Sequence, residues 1–234
     1  MRLDKLLGNL KYGSRNDIRE AVRQGRVRIA GRIAADPGAD VNPEIEEIDF
    51  DGRRVFYKKW IYLMMNKPQG VVSANADAVH ATAVGLLKDP YDRFDLSICG
   101  RLDLDAEGLL LFTNDGDVLH RVISPRNEVF KTYEVSLRDP LGDYAPLLAG
   151  VEIRDGREQL FRTLPAFVEP LGEKTARIRI QEGKYHQVKR MFEAIGNEVV
   201  ALRRTAIGGL ELDPALPPGG YRELSYAEIG RAIG

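Results

Sequence analysis

SICGRLDLDAEGLLLFTNDG, residues 97–116, is the densest stretch of the chain. Its apolar run Leu109–Thr113 reads as a strand, Asn114-Asp115-Gly116 as a turn, and Asp117–Ile123 as a helix stopped before Pro125. Ahead of the strand, Asp103, Asp105 and Glu107 put three carboxylates into five residues between Gly100 and Gly108. In an extended chain Asp103 and Asp105 point the same way. Such a cluster suits a carboxylate pair for glycoside cleavage, a magnesium site for phosphoryl chemistry, or one nucleophilic aspartate with structural neighbours. A bare Asp-x-Asp is otherwise a solvated acidic turn.

The flanking chain supplies more strands and helices. IYLMMN, residues 61–66, is a buried strand running into a turn at Lys67-Pro68 and Gly70, and Ala78–Lys88 reads as a short helix ended by Asp89-Pro90. KTYEVSL (131–137) and TARIRIQ (175–181) are strands, the second alternating Ala176, Ile178 and Ile180 with Arg177 and Arg179. Val188, Met191, Phe192 and Ile195 mark a helix with Gly196 at its end, Glu198–Arg203 is another strand, and Ser225 with Glu228 has capping-box spacing. Spaced, alternating strands suit a largely antiparallel sheet, so residues 61–234 read as an α+β domain.

The first part of the chain is different. Leu3, Leu6, Leu7 and Leu10 follow the i, i+3, i+4, i+7 pattern of a helix with one buried face, and Ser14 with Asp17 opens a second helix that buries Ile18, Ala21 and Val22. From Arg26 the period becomes two, with Val27, Ile29 and Ile33 facing inward and Arg26, Arg28 and Arg32 outward. Arg15, Arg19 and Arg23 repeat every fourth residue along the second helix. Residues 1–35 carry nine basic and three acidic groups, a net of +6, whereas residues 36–52 carry seven acids and no base. A folded basic block of this kind suits a polyanion, despite an overall net charge of −1. A basic bundle that docks on another protein is the competing reading.

Composition narrows the classes further. With 234 residues, 44% hydrophobic and 29% charged, the chain has material for a medium domain and a smaller one. One cysteine, Cys99, and three histidines exclude a disulfide framework and a zinc finger. No run approaches the ~20 apolar residues of a membrane span, and the N-terminus lacks a signal-peptide pattern. The expectation is a soluble, cytoplasmic chain with no metal site.

Two resemblances give these features a function. MRLDKLL, YGSR and VRQGRVRIAGRI resemble the alpha-L RNA-binding motif over residues 1–57, which implies recognition of structured RNA, with Arg15, Arg19, Arg23, Arg26 and Arg28 on the phosphates. Gly100-Arg101-Leu102-Asp103, Gly108 with its leucines and Thr113–Gly116 resemble the catalytic motif of the ribosomal small-subunit pseudouridine synthase A family. NKPQG (66–70), Lys131-Thr132-Tyr133 and EGKYHQVKRMF (182–192) agree in order. The resemblance implies a small N-terminal α/β RNA-binding domain over 1–57, then a pseudouridine synthase domain over 61–234 built on a mixed, mostly antiparallel sheet with flanking helices.

The same resemblance implies residue roles. Asp103 is the catalytic aspartate, Tyr133 the aromatic residue against the target base, and Lys189 the basic partner of Asp103. Arg101 fills the gap left by a flipped nucleotide or meets a phosphate, and Lys67 shapes a turn or meets RNA backbone. His186 is a hydrogen-bonding neighbour of the site and no metal ligand. Residues 174–204 carry a net of +5 and read as a second RNA-facing strip that includes Arg177, Arg179, Arg190, Arg203 and Arg204, with Tyr185 placed for base stacking. The substrate is ribosomal RNA or a ribosome-assembly particle, 16S in preference to 23S; no cofactor and no membrane are involved, and the chain is a monomer. The rivals are a non-catalytic assembly factor, a magnesium-dependent nuclease using Asp103, Asp105 and Asp115, and a nucleoside hydrolase.

Overall fold

The computed structural model describes residues 1–234, apart from the side chain of Pro125. It divides into two compact units, Met1–Trp60 with Leu87–Asp95, and Ile61–Leu86 with Leu96–Gly234. In the first, helix α1 (Leu3–Asn9) buries Leu3, Leu6 and Leu7 against α2 (Arg15–Arg23), which buries Ile18, Ala21 and Val22. The Ser14 hydroxyl accepts from the Asp17 N–H at 3.2 Å, and the Asp17 carboxylate accepts from the Ser14 N–H at 2.8 Å. That reciprocal cap starts α2 and leaves Arg15, Arg19 and Arg23 exposed on its outer face. Strands β1 (Val27–Ile29), β2 (Arg32–Ile33), β3 (Ile48–Phe50) and β4 (Arg53–Arg54) form an antiparallel sheet in the order β2-β1-β3-β4. Ile33, expected inward, is exposed: it pairs with Arg28 across the ladder, and directly paired residues share a face.

The stretch Leu87–Asp95 belongs to this first unit, although it lies in sequence within residues 61–234. The Phe56 ring packs edge-on against Tyr91 and Phe94, both centroids 5.9 Å away. Arg93 stands 4.5 Å from the Tyr12 ring centroid, and Lys11 Nζ donates to the Asp92 carbonyl at 3.1 Å. No helix spans Ala78–Lys88; a 3₁₀ turn at Val84–Leu86 stands there instead. The reason is local. Asp77 Oδ1 accepts from the N–H groups of Val79 and His80, and Val72 bonds Ala81 and Ala83 through its backbone, so the chain is already satisfied in a turned, then extended form.

The second unit is organised by a nine-stranded sheet. Its elements in chain order are β5 (Tyr62–Lys67), β6 (Ser97–Ile98), β7 (Glu107–Thr113), α3 (Gly116–Ile123), β8 (Lys131–Leu137), α4 (Ala145–Ala149), a separate hairpin of β9 (Glu152–Arg154) and β10 (Leu160–Arg162), β11 (Phe167–Gly172), β12 (Thr175–Ile180), α5 (Gln187–Ala194), β13 (Val199–Ile207), β14 (Leu210–Glu211), β15 (Tyr221–Glu223) and α6 (Tyr226–Ile233). The order is β11-β12-β8-β13-β7-β5-β15, with β14 on β13 and β6 on β7. Only the β13/β7 ladder is parallel, so the sheet is mixed and mostly antiparallel, as expected. Tyr62, Met64, Leu109 and Leu111 join Val118 and Val122 of α3 and Ile229 and Ala232 of α6 in one core. Ser225 and Glu228 cap α6 reciprocally. Among the described residues no helix is long and apolar enough to cross a membrane.

Strand alternation corrects the second basic strip. Tyr133 pairs with Ile178 and Arg204, whereas Arg177 pairs with Glu134 and Arg179 with Thr132. Arg177 and Arg179 therefore point away from the face that carries Tyr133. Arg177 is also held by Glu134 at 3.2 Å and Glu169 at 2.8 Å.

Phe94 is buried in the first unit although it lies beyond residue 57. Phe94→Ala is expected to cost that unit about 3–5 kcal/mol. Native-state hydrogen exchange of the α1 and α2 amides, compared with that of the α3 amides, reads the loss.

Candidate active site

The site is built on the loop from Gly100 to Ala106, between β6 and β7. Such a loop exposes carbonyls that a helix or sheet would pair, and here they are met by donors from elsewhere in the unit. Arg204 Nη2 donates to the Gly100 carbonyl at 3.0 Å and Nη1 to that of Arg101 at 3.4 Å. The Ser73 hydroxyl donates to the Leu102 carbonyl at 2.8 Å and accepts from the Leu102 N–H at 3.0 Å. The N–H of Ala106 meets the Asp103 carbonyl, that of Gly70 meets the Leu104 carbonyl at 2.8 Å, and Lys67 Nζ donates to the Ala106 carbonyl at 2.7 Å. The backbone around Asp103 is thus fastened on both sides.

Two of those donors are buried cations. Arg204 is only 2% exposed, with its Nε donating to the Leu109 carbonyl at 2.7 Å, and Lys67 has no exposed surface. Burial pushes the Lys67 ammonium down to about 8, against the opposing pull of Asp103 and Asp105. Lys131, on the strand that carries Tyr133, is pushed down to about 8 by burial and by the nearby Arg204 charge. Gly108 makes the close packing feasible. Its φ is +105°, and a Cβ there would come within 2.3 Å of the Arg204 carbonyl oxygen.

Asp103 stands at the mouth of this cradle. It lines one small pocket with Tyr133, Arg101, His186, Val188 and Leu202. Its side chain is about a quarter exposed; His186 Nε2 lies 3.5 Å from Oδ1 and Lys189 Nζ 3.6 Å from Oδ2. Lys189, on α5, gives its short hydrogen bonds to Asp105 instead, at 2.6 and 2.7 Å. That partner holds the Asp105 carboxyl below the usual carboxylate range. Tyr133 is buried, with the Arg204 guanidinium 6.0 Å from its ring centroid. Asp103, Tyr133 and Lys189 are therefore neighbours, with Lys189 shared between two aspartates.

Other expected residues lie differently. Lys67, read as shaping a turn or meeting RNA backbone, is sealed beneath the loop and bonds the Pro68 and Ala106 carbonyls. Its place in an apolar strand, between Asn66 and Pro68, drew it inside. Arg101 is exposed beside the pocket. Arg190 is tied to the Arg154 and Asp155 carbonyls, and Tyr185 stacks on His186 with centroids 3.8 Å apart. In the first unit Arg26 is paired with Asp51, Arg23 with Glu20, and Arg28 donates to the Gly31 carbonyl at 3.0 Å. Asp115 caps α3 and accepts from the Tyr62 phenol at 2.6 Å. Among the described residues no three His, Cys, Asp or Glu side chains gather as a metal site.

The sequence reading missed Ser73 and misplaced Arg204, which it put on a basic surface. Alternation within β13 carries the missing signal: Leu202 and Arg204 share a register that faces inward. Ser73 has no comparable signal, being one polar residue in a loop.

Comparison with known proteins places these features. Residues 61–194 match the RNA pseudouridylate synthase family, and residues 1–44 match the S4 domain. The family match and the fold are those of a pseudouridine synthase, an isomerase, preceded by an S4 domain. An RNA pseudouridine synthase of Bacillus subtilis is 47% identical over 98% of this chain and 97% of its own length. The ribosomal small subunit pseudouridine synthase A of Vibrio cholerae is 42% identical over 98% of both chains. A pseudouridylate synthase crystal structure superposes with a TM-score of 0.70 at 37% identity, covering both chains fully. The chain belongs to the ribosomal small subunit pseudouridine synthase A family.

Two predictions follow from the cradle. Arg204→Met leaves the Gly100, Arg101 and Leu109 carbonyls without their donor and is expected to cost about 3 kcal/mol or more in urea denaturation. In the unfolded chain Lys67 and Lys131 keep their protons to about pH 10, but in the fold they release them near pH 8. Between those values the unfolded chain binds more protons, so the fold gains stability as pH rises, by about 1 kcal/mol per pH unit for each ammonium. Lys131→Met is expected to flatten that rise, measured by urea midpoints from pH 7 to 10.

Proposed function

We propose that the chain converts a specific uridine of 16S ribosomal RNA into pseudouridine through Asp103. The observation that carries the assignment is a division of labour between two aspartates: Asp105 is paired off with Lys189, while Asp103 lines the pocket beside Tyr133. The reaction breaks the C1′–N1 bond, turns the uracil in place and joins C5 to C1′. A proton leaves C5 and N1 gains one, so no redox change occurs and no cosubstrate is consumed. Asp103 supplies the carboxylate that glycosidic cleavage needs, with Lys189 Nζ 3.6 Å from its Oδ2.

Tyr133 presents a buried ring at the pocket wall, suited to stacking on a flipped uracil, with its hydroxyl available for proton movement at C5. The exposed arginines of α2 give the S4 domain a positive face for phosphates. Ribosomal RNA as substrate, and the small subunit in particular, are supported by the name of the Vibrio relative and by a match that extends over the whole chain.

Asp103→Asn keeps the side-chain shape and removes the charge. It is expected to lower pseudouridine formation on 16S transcripts by about a thousandfold or more while RNA binding persists. Near-normal turnover would overturn the assignment. Tyr133→Phe is expected to be milder than Tyr133→Ala. RNA affinity is expected to fall as salt rises, and Arg15→Ala or Arg19→Ala to reduce the logarithmic salt slope by about 1 each, as read by filter binding across salt concentrations.

A further inference from the structure

His186 precedes α5 in the left-handed region, at φ 50° and ψ 31°. A residue with a Cβ is strained there, and such a conformation persists where its surroundings over-determine it. The surroundings here form a connected stack. The His186 ring lies on Tyr185, with centroids 3.8 Å apart and planes 18° from parallel. The Arg190 guanidinium is 5.1 Å from the Tyr185 centroid and is itself held by the Arg154 and Asp155 carbonyls of the β9–β10 hairpin. Gly156, at the tip of that hairpin, lets it close on the tyrosine: a Cβ there would lie 3.2 Å from Tyr185 Cβ and Cγ.

On the other side of His186 the chain is equally fixed. Gln187 is buried, donates to the Glu182 carboxylate at 2.8 Å and accepts from the Lys184 N–H at 2.9 Å. The ring held between these anchors points its Nε2 at Asp103 Oδ1, 3.5 Å away. Lys189 faces the other oxygen but gives its short bonds to Asp105. Tyr185, half exposed, has one face of its ring already covered by His186.

We propose that the Tyr185–His186 stack is a positioning device for the isomerisation: it aims the imidazole at Asp103 and thereby sets the plane of the carboxylate against the ribose. Tyr185 acts through His186 and does not stack on an RNA base. The inference rests on Asp103 being the catalytic carboxylate. A contact of 3.5 Å in the free enzyme is of the kind that tightens when substrate closes the site, and small errors of aim at a reacting group are costly in rate.

Single-turnover kinetics of the full-length enzyme on a 16S transcript test this, read as the maximal rate constant and the half-saturating RNA concentration. His186→Ala is expected to lower the rate constant about 10- to 100-fold with half-saturation within about twofold. His186→Gln, whose amide N–H reaches the same oxygen, is expected to recover part of it. Tyr185→Ala is expected to follow His186→Ala in rate, and Tyr185→Phe, which keeps the stack, to recover most of what the alanine loses. A raised half-saturation with an unchanged rate constant in Tyr185→Ala overturns the proposal in favour of RNA contact, as does an unchanged rate constant in His186→Ala. Should His186→Ala fail to give a cooperative thermal melt, the two tyrosine variants decide between the same outcomes. Asp103→Asn separates the failures: if it turns over normally the catalytic reading falls, and if it is dead while the His186 and Tyr185 variants keep full rate, the positioning role alone falls.

Discussion

A guanidinium with almost no exposed surface fastens the site. Arg204 reaches from β13 to the carbonyls of Gly100, Arg101 and Leu109, so one side chain ties the strand beside Tyr133 to the start of the loop that carries Asp103 and to β7, which follows that loop. Burying such a group is costly unless its donors are met. Here they are met by two loop carbonyls and one carbonyl of β7, so each solves the other's desolvation. Gly108 is the geometric condition for this arrangement, because any side chain there would collide with the Arg204 backbone.

The same arrangement sets the electrostatics. Arg204 and Lys67 bring positive charge beneath a loop whose outward groups are Asp103, Asp105 and Glu107. Neither cation bonds a carboxylate directly; both are spent on carbonyls. Their field is therefore left to act on the loop as a whole, and Lys67 registers it in return, since Asp103 and Asp105 oppose the burial that lowers its proton affinity. Lys189 then neutralises Asp105, the more exposed of the two aspartates, and leaves Asp103 facing the pocket.

Much of this was legible in the sequence, and what was not has physical reasons. Periodicity gave the two N-terminal helices, the buried strand before Lys67, the strands around Tyr133 and Ile178, and the helix carrying Lys189, because each buries one face with a regular repeat. Capping residues at Ser14 and Ser225 marked helix starts correctly. The helix expected over Ala78–Lys88 was lost to an Asp77 turn, a short-range competition that apolar content does not register. Charge counting put Arg204 on an RNA surface because it treats every cation as solvated. The sharing of Lys189 between Asp103 and Asp105, and the clamp from Ser73, depend on loop geometry that no linear pattern encodes.

The central claim is that this loop, so fastened, isomerises a uridine in small-subunit ribosomal RNA. Chemical mapping of pseudouridine across 16S and 23S ribosomal RNA, in cells lacking the gene and in the same cells complemented with it, tests that claim most directly. The account predicts that one 16S position reads as uridine in the absence of the gene and as pseudouridine once it is restored. An unchanged map, or a loss confined to 23S ribosomal RNA, would contradict it.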